Sequence, residues 1–128
     1  MSVINDVLAD VITLADATTP YSNLVIGALP GENAISIAVA GGGPDVIDFA
    51  HGMQYTLDVV LNGKHSNQKT VSDALNDIHH ALCKQATFTN HDTYQIKSIM
   101  TNGAPGYIGR EDNQWLYGSG LTVKFYYK

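Results

Sequence analysis

Met53-Gln54-Tyr55-Thr56-Leu57-Asp58-Val59-Val60-Leu61 decides the fold. Apolar residues stand at 53, 55, 57, 59 and 61, with Gln54, Thr56 and Asp58 between them. This is the period-two pattern of a strand with one face in a core and the other outside. Asn62-Gly63 closes the strand, and Lys64 to Lys69 form a polar connection. Thr70-Val71-Ser72-Asp73 then reads as a capping box with Asp in the place of Glu. Val71, Ala74, Leu75, Ile78, Ala81 and Leu82 recur at helical spacing up to about Cys83 or Lys84. Thr93 to Met100 returns to alternation, with Tyr94, Ile96, Ser98 and Met100 on one face. The unit is strand, helix, strand, and its length permits a parallel crossover.

Upstream, apolar residues at 3, 4, 7, 8, 11, 12, 14 and 15 predict a first helix, with Asp6 and Asp10 on its polar side. Ser2 is placed to cap it, and Thr18-Thr19-Pro20 ends it. Leu24 to Ile26 and Ile35 to Val39 read as strands, divided by the turn-rich Leu29-Pro30-Gly31-Glu32-Asn33. Gly41-Gly42-Gly43-Pro44 is expected to stop the second of these and to open a flexible surface loop over residues 41–52. Downstream, Asn102-Gly103-Ala104-Pro105-Gly106 breaks the strand pattern, and Gly109-Arg110-Glu111-Asp112-Asn113 is a polar turn. The last strand runs from about Gln114 to Tyr127, with Trp115, Tyr117, Leu121, Val123, Phe125 and Tyr127 on one face. Gly118 and Gly120 predict a bulge or bend in it. Helices do not alternate strictly with strands. The expected fold is α+β, with a mostly antiparallel, possibly mixed sheet of four to five strands flanked by two helices.

Bulk properties bound the function. At 128 residues and 13.8 kDa the chain has the size of one domain, 1–128. Surface scaling gives roughly 6,600 Å² exposed when folded against about 20,000 Å² unfolded, so a real core forms without disulfide or metal. The composition is 45% hydrophobic and 15% charged, which excludes disordered, collagen-like and coiled-coil chains. Twelve acids against seven bases leave a net charge of −5, without the basic stripe that a sequence-reading DNA binder needs. The first residues carry Asp6, Asp10 and Asp16, and no run is apolar enough for a membrane span. The lone Cys83 makes no internal disulfide and fits assembly in a reducing cytoplasm.

Candidate chemistry is sparse. His79, His80 and Cys83 are the one cluster of metal-ligand types, and His79 and Cys83 share a helical face. A tetrahedral site needs two further ligands from afar, so the preferred reading is two solvent-facing histidines beside a small, buried or half-buried thiol. A Cys83 nucleophile sits late in its helix, where the dipole disfavours a thiolate. Gly41-Gly42-Gly43 follows a strand, but the residues after it lack the Lys-Ser/Thr of a phosphate loop and bring Asp45 and Asp48 instead. No catalytic residue, metal or cofactor is assigned. The competing reading is a small metal- or thiol-dependent enzyme built on His79, His80 and Cys83, for which stoichiometric zinc would speak.

Three stretches together carry a resemblance. They are Leu29 to Ile37 leading into Gly41-Gly42-Gly43-Pro44; Tyr55 to Leu61 with Asn62-Gly63-Lys64 and the helix Val71 to Leu82; and Pro105 to Tyr117 running into Leu121 to Tyr127. This succession is similar to the minor capsid or tail terminator (tail completion) proteins of long-tailed bacteriophages. The resemblance implies a non-enzymatic virion protein that forms a homo-oligomeric ring, often a hexamer. Such a ring caps the tail tube, ends polymerisation of the tube protein and meets the head-completion or connector protein. DNA passes through the ring as cargo, and an acidic lumen would let it slide. Residues 41–52 and 103–113 are expected to reach partner or neighbouring subunits. On that basis Gly41, Gly42, Gly43, Pro44, Asp45, Phe49, Pro105, Tyr107, Arg110, Glu111 and Asp112 are the candidate interface. Cys83 and its two histidines are not accounted for by the resemblance.

Overall fold

The computed structural model describes residues 3–47 and 53–127. Seven elements follow in order: α1 (Val3–Asp16), β1 (Leu24–Ile26), β2 (Ala34–Ile47), β3 (Met53–His65), α2 (Gln68–Lys84), β4 (Tyr94–Glu111) and β5 (Gln114–Tyr127). The strands make one sheet in the order β1-β2-β3-β5-β4. β1 runs parallel to β2, and every other pair is antiparallel. The fold is therefore α+β with a mixed, mostly antiparallel sheet. β3 and β4, joined by α2, do run parallel, but β5 is inserted between them, and the parallel pair lies at the other border.

Both helices pack into one core with one face of the sheet. Leu57, Val59 and Leu61 of β3 point into it beside Leu121, Val123 and Phe125 of β5, all at most 2% exposed. Ile35 and Ile37 of β2 and Ile96 and Ile99 of β4 extend that layer. Val7, Leu8, Val11 and Ala15 of α1 and Val71, Leu75, Ile78 and Leu82 of α2 close it from above. Thr56, Asp58, Val60, Asn62 and Lys64 alternate with the core residues of β3 and stay half-exposed on the other face, which no helix covers.

The strands are much longer than the sequence pattern predicts. β2 does not stop at Gly41-Gly42-Gly43-Pro44 but runs on to Ile47 against β3, with bulges between Val39 and Gly41 and between Pro44 and Val46. β4 likewise continues through Asn102 to Gly106 as far as Glu111, with four register shifts against β5. Prolines are tolerated at 44 and 105 because each stands on a stretch whose outer edge has no neighbouring strand: β1 reaches only Ile35 to Ile37, and β4 is the border. The bend expected in β5 is absent. Gly118 and Gly120 pair regularly with β3, and the irregularity falls on the opposite strand, at Gly103 and Gly106.

Three further expectations are corrected. Tyr94, Ile96, Ser98 and Met100 do not share one face: the bulge between Ile96 and Ser98 flips the strand, so Ile99 joins Tyr94 and Ile96 in the core and Met100 is 55% exposed. Asn62-Gly63 does not end β3, which extends to His65. Gly63 is a packing position, where a Cβ would stand 3.1 Å from Val71 Cγ2 and 3.2 Å from the Tyr21 hydroxyl. α2 begins before the Thr70 box: Asn67 is the cap, its Oδ1 accepting the Thr70 N–H at 3.2 Å.

Candidate functional site

The two candidate segments are the arms of two β-hairpins and not loops. In the first, Gly41, Gly42 and Gly43 pair with Asp58, Leu57 and Thr56, and Pro44 pairs with Tyr55. Gly42 adopts φ +119°, and a Cβ there would meet the Thr56 carbonyl oxygen at 2.1 Å, so only glycine fits. Asp45 is the extra residue of the bulge between Pro44 and Val46. Phe49 and the rest of 48–52 lie outside the described residues.

In the second hairpin, Asp112 and Asn113 both adopt positive φ, 48° and 64°, the pair of angles of a two-residue type I′ turn. Glu111 faces Gln114 across it. Pro105 lies in the irregular stretch between Gly103 and Gly106. Tyr107 is 56% exposed and packs against Trp115 and Tyr117, with ring centroids 5.9 Å away in each case. The Arg110 guanidinium lies 4.8 Å over the Trp115 ring. Gln68, at the start of α2, donates to the Tyr117 hydroxyl at 2.8 Å and ties this aromatic group to the helical layer. Tyr, Trp and Arg are the residue types that anchor protein contacts.

The structure does not bring the two segments together. β2 and β3 turn at the end where Met53 meets Tyr127, while β4 and β5 turn at the end where Trp115 meets His65. They are opposite ends of one sheet. What the hairpins share is that they outrun their cover. A strand of 14 residues such as β5 spans about 46 Å. α2, at 17 residues, spans about 26 Å, and α1 is shorter still. Val39, Met100, Tyr107, Ile108 and Tyr127, all large, apolar and exposed, lie on the strands' uncovered stretches or uncovered face.

His79 is not solvent-facing as expected; it is buried at 8% exposure, and its Nε2 lies 2.9 Å from Thr101 Oγ1. Its Nδ1 is buried without a partner. Burial lowers the pKa of this imidazole and raises that of the Cys83 thiol, so both stay neutral near pH 7. His80 faces solvent. Among the described residues no three His, Cys, Asp or Glu side chains converge to hold a metal ion.

A polar cluster invisible in the sequence joins α1 to β4. The Tyr94 hydroxyl donates to Asp10 Oδ2 at 2.7 Å, and His91 Nε2 meets the same oxygen at 2.8 Å. The His91 and Tyr94 rings stack at 4.5 Å. Burial, with the Asp10 carboxylate beside it, raises the Tyr94 pKa and keeps it a donor. Asp10 reads as a solvated helix residue until β4 is placed beside it, so no local signal marks the cluster.

Comparison with known proteins finds no matching family model and no matching curated relative. Among the described residues no helix is long and apolar enough to cross a membrane.

Proposed function

We propose that this chain is a structural virion protein of a long-tailed bacteriophage, working at the head–tail junction. It closes into a homo-oligomeric ring that caps the tail tube, ends its polymerisation and joins it to the head connector while DNA passes through. The reading starts from the order of elements and short patterns quoted above. The observation that carries it is the excess of sheet over helix: one sheet face and two hairpin arms lie beyond the helical layer, with Met100, Tyr107 and Ile108 more than half exposed. Exposed apolar groups concentrated in this way mark surfaces that other chains cover. The Tyr107, Trp115, Tyr117 and Arg110 group supplies anchor residues at one end.

The test is light scattering coupled to size exclusion over a concentration series, with negative-stain images of each peak. A closed ring of on the order of six subunits with an open centre is the expected result. A monomer that neither self-associates nor binds tail tubes would overturn the proposal.

A further inference from the structure

We infer that Asn102 is a site of spontaneous covalent modification, where the chain converts its own side-chain amide to a carboxylate by ring closure with Gly103. The inference stands apart from the ring reading above, and its test reads the single folded chain.

The sequence holds two Asn-Gly pairs, Asn62-Gly63 and Asn102-Gly103. Glycine has no Cβ to shield its amide nitrogen and accepts most backbone angles, so an asparagine before it is the one most open to attack by the main chain. In that reaction the Gly103 nitrogen bonds to Asn102 Cγ and gives up its proton. The Cγ–Nδ2 bond breaks, and ammonia leaves with that proton. Water then opens the cyclic imide at either carbonyl, which leaves aspartate or its β-linked isomer at 102. Water is the one co-reactant.

The fold decides which pair can react. Ring closure needs the glycine nitrogen to swing onto the asparagine side chain, a turn that regular strand pairing on both sides prevents. Asn62 is held in that way, facing Ser36 on β2 and Gly118 on β5 in unbroken register. Gly63 after it is buried under Val71, Tyr21 and Leu75. Asn102 stands at the other extreme. Thr101 faces Leu121 and Gly103 faces Gly120, so Asn102 is the extra residue of a bulge and has no counterpart on β5. β4 is a border of the sheet, so no strand pairs with its other side. Asn102 and Gly103 are both exposed to solvent. The Asn102 amide donates to Asp58 Oδ1 at 3.4 Å, a long bond that restrains the side chain weakly.

The product differs from the amide where it matters. Modification removes the donor to Asp58 and sets a second carboxylate beside it, and like charges facing each other across a sheet repel. It also adds negative charge to a chain whose net charge is already −5. The uncovered sheet face thus grows more acidic as the protein ages.

The test is peptide mass spectrometry of the dilute, folded chain held at mildly alkaline pH over a time series, with the chain unfolded in guanidinium chloride beside it. In denaturant the two Asn-Gly pairs should convert at similar rates. In the folded chain Asn102 should outpace Asn62 by on the order of tenfold or more, because Asn62 must wait for the sheet to open. Gly103→Ala supplies the second variant. A Cβ there meets Gly120 N at 3.7 Å, an ordinary contact, so the variant should melt like the wild type while conversion at 102 slows several-fold. A folded chain in which Asn102 lasts as long as Asn62 would overturn the inference. Conversion at 102 that Gly103→Ala leaves unchanged would overturn it as well, since the main-chain nitrogen would then not be the attacking atom.

Discussion

β4 and β5 are paired along their whole length, yet the two halves of that pair are different materials. Where the helices cover it, Ile96, Ile99, Leu121, Val123 and Phe125 are at most 3% exposed, and β5 alternates in and out. From Met100 to Glu111 the β4 strand has no buried residue and shifts register three times. The backbone ladder is the same; the burial is not. Strand geometry therefore needs only a partner, while strand stability comes from what packs on the face. The covered half should hold the free energy of folding, and the arm should hold the contacts with other chains.

The largest expected effect breaks the covered half. Phe125 is fully buried and stacks on Tyr55 with centroids 5.1 Å apart. Phe125→Ala should lower the unfolding free energy, measured in urea, by about 3–5 kcal/mol. Tyr107→Ala, in the arm, should cost about 1 kcal/mol or less, the loss of its exposed aromatic contacts. Equal losses at the two positions would show that the arm belongs to the folding core.

A smaller effect concerns the backbone of the other arm. Gly42→Ala forces a side chain onto φ +119° and into the Thr56 carbonyl, part of the β3 main chain that cannot step aside. A loss of about 1–3 kcal/mol is expected. Gly41→Ala meets open space and should be nearly neutral. A pair of equal effects would mean that β2 and β3 separate easily beyond Val39, making this arm as independent as the other.

The same contrast explains what the sequence disclosed. Where one face is buried, side chains must alternate, so 53–61 and 121–127 announce themselves, as do both helices, while the bulge after Ile96 hides from the pattern that Ile99, and not Ser98 or Met100, is the core residue of β4. Where neither face is buried nothing enforces a pattern. Gly41-Gly42-Gly43-Pro44 and Asn102 to Gly106 then carry the residues of loops while lying in strands. Those residues fit because they stand on free edges, a tertiary fact with no local signature. Asn67 as the α2 cap was hidden by the stronger-looking Thr70 box. The union of Asp10, His91 and Tyr94 depends on β4 returning beside α1, which no spacing reveals. The candidate residues at 41–45 and 105–112 stand out in composition, but their placement on two opposed arms comes only with the sheet register.

Acid should weaken the covered half selectively. Burial holds the His79 pKa below its ordinary value, so the unfolded chain takes up this proton first as the pH falls. The contribution of neutral His79 is intact above about pH 6.5 and is lost progressively below it, with a slope of at most about 1.4 kcal/mol per pH unit. His79→Gln should flatten the stability profile below that pH, measured by urea titration at several pH values. An unchanged slope would place the acid sensitivity elsewhere.

The smallest expected effect separates stability from assembly. A Cβ on Gly118 would approach Ile108 Cδ1 to 2.5 Å, as a Gly42 Cβ would approach the Thr56 carbonyl oxygen to 2.1 Å. The two contacts differ in what must move. Gly42 meets main chain inside the sheet, whereas Gly118 meets the tip of a side chain that is 62% exposed and free to swing outward. Gly118→Ala should therefore change the unfolding free energy by no more than about 0.5 kcal/mol. It also fills part of a groove of about 400 Å³ on the uncovered sheet face, between Val60, Asn102 and Ile108. If that face receives a neighbouring copy, the variant should melt like the wild type and assemble less well. Equal assembly at equal stability would move the subunit contact off the groove and toward the arms.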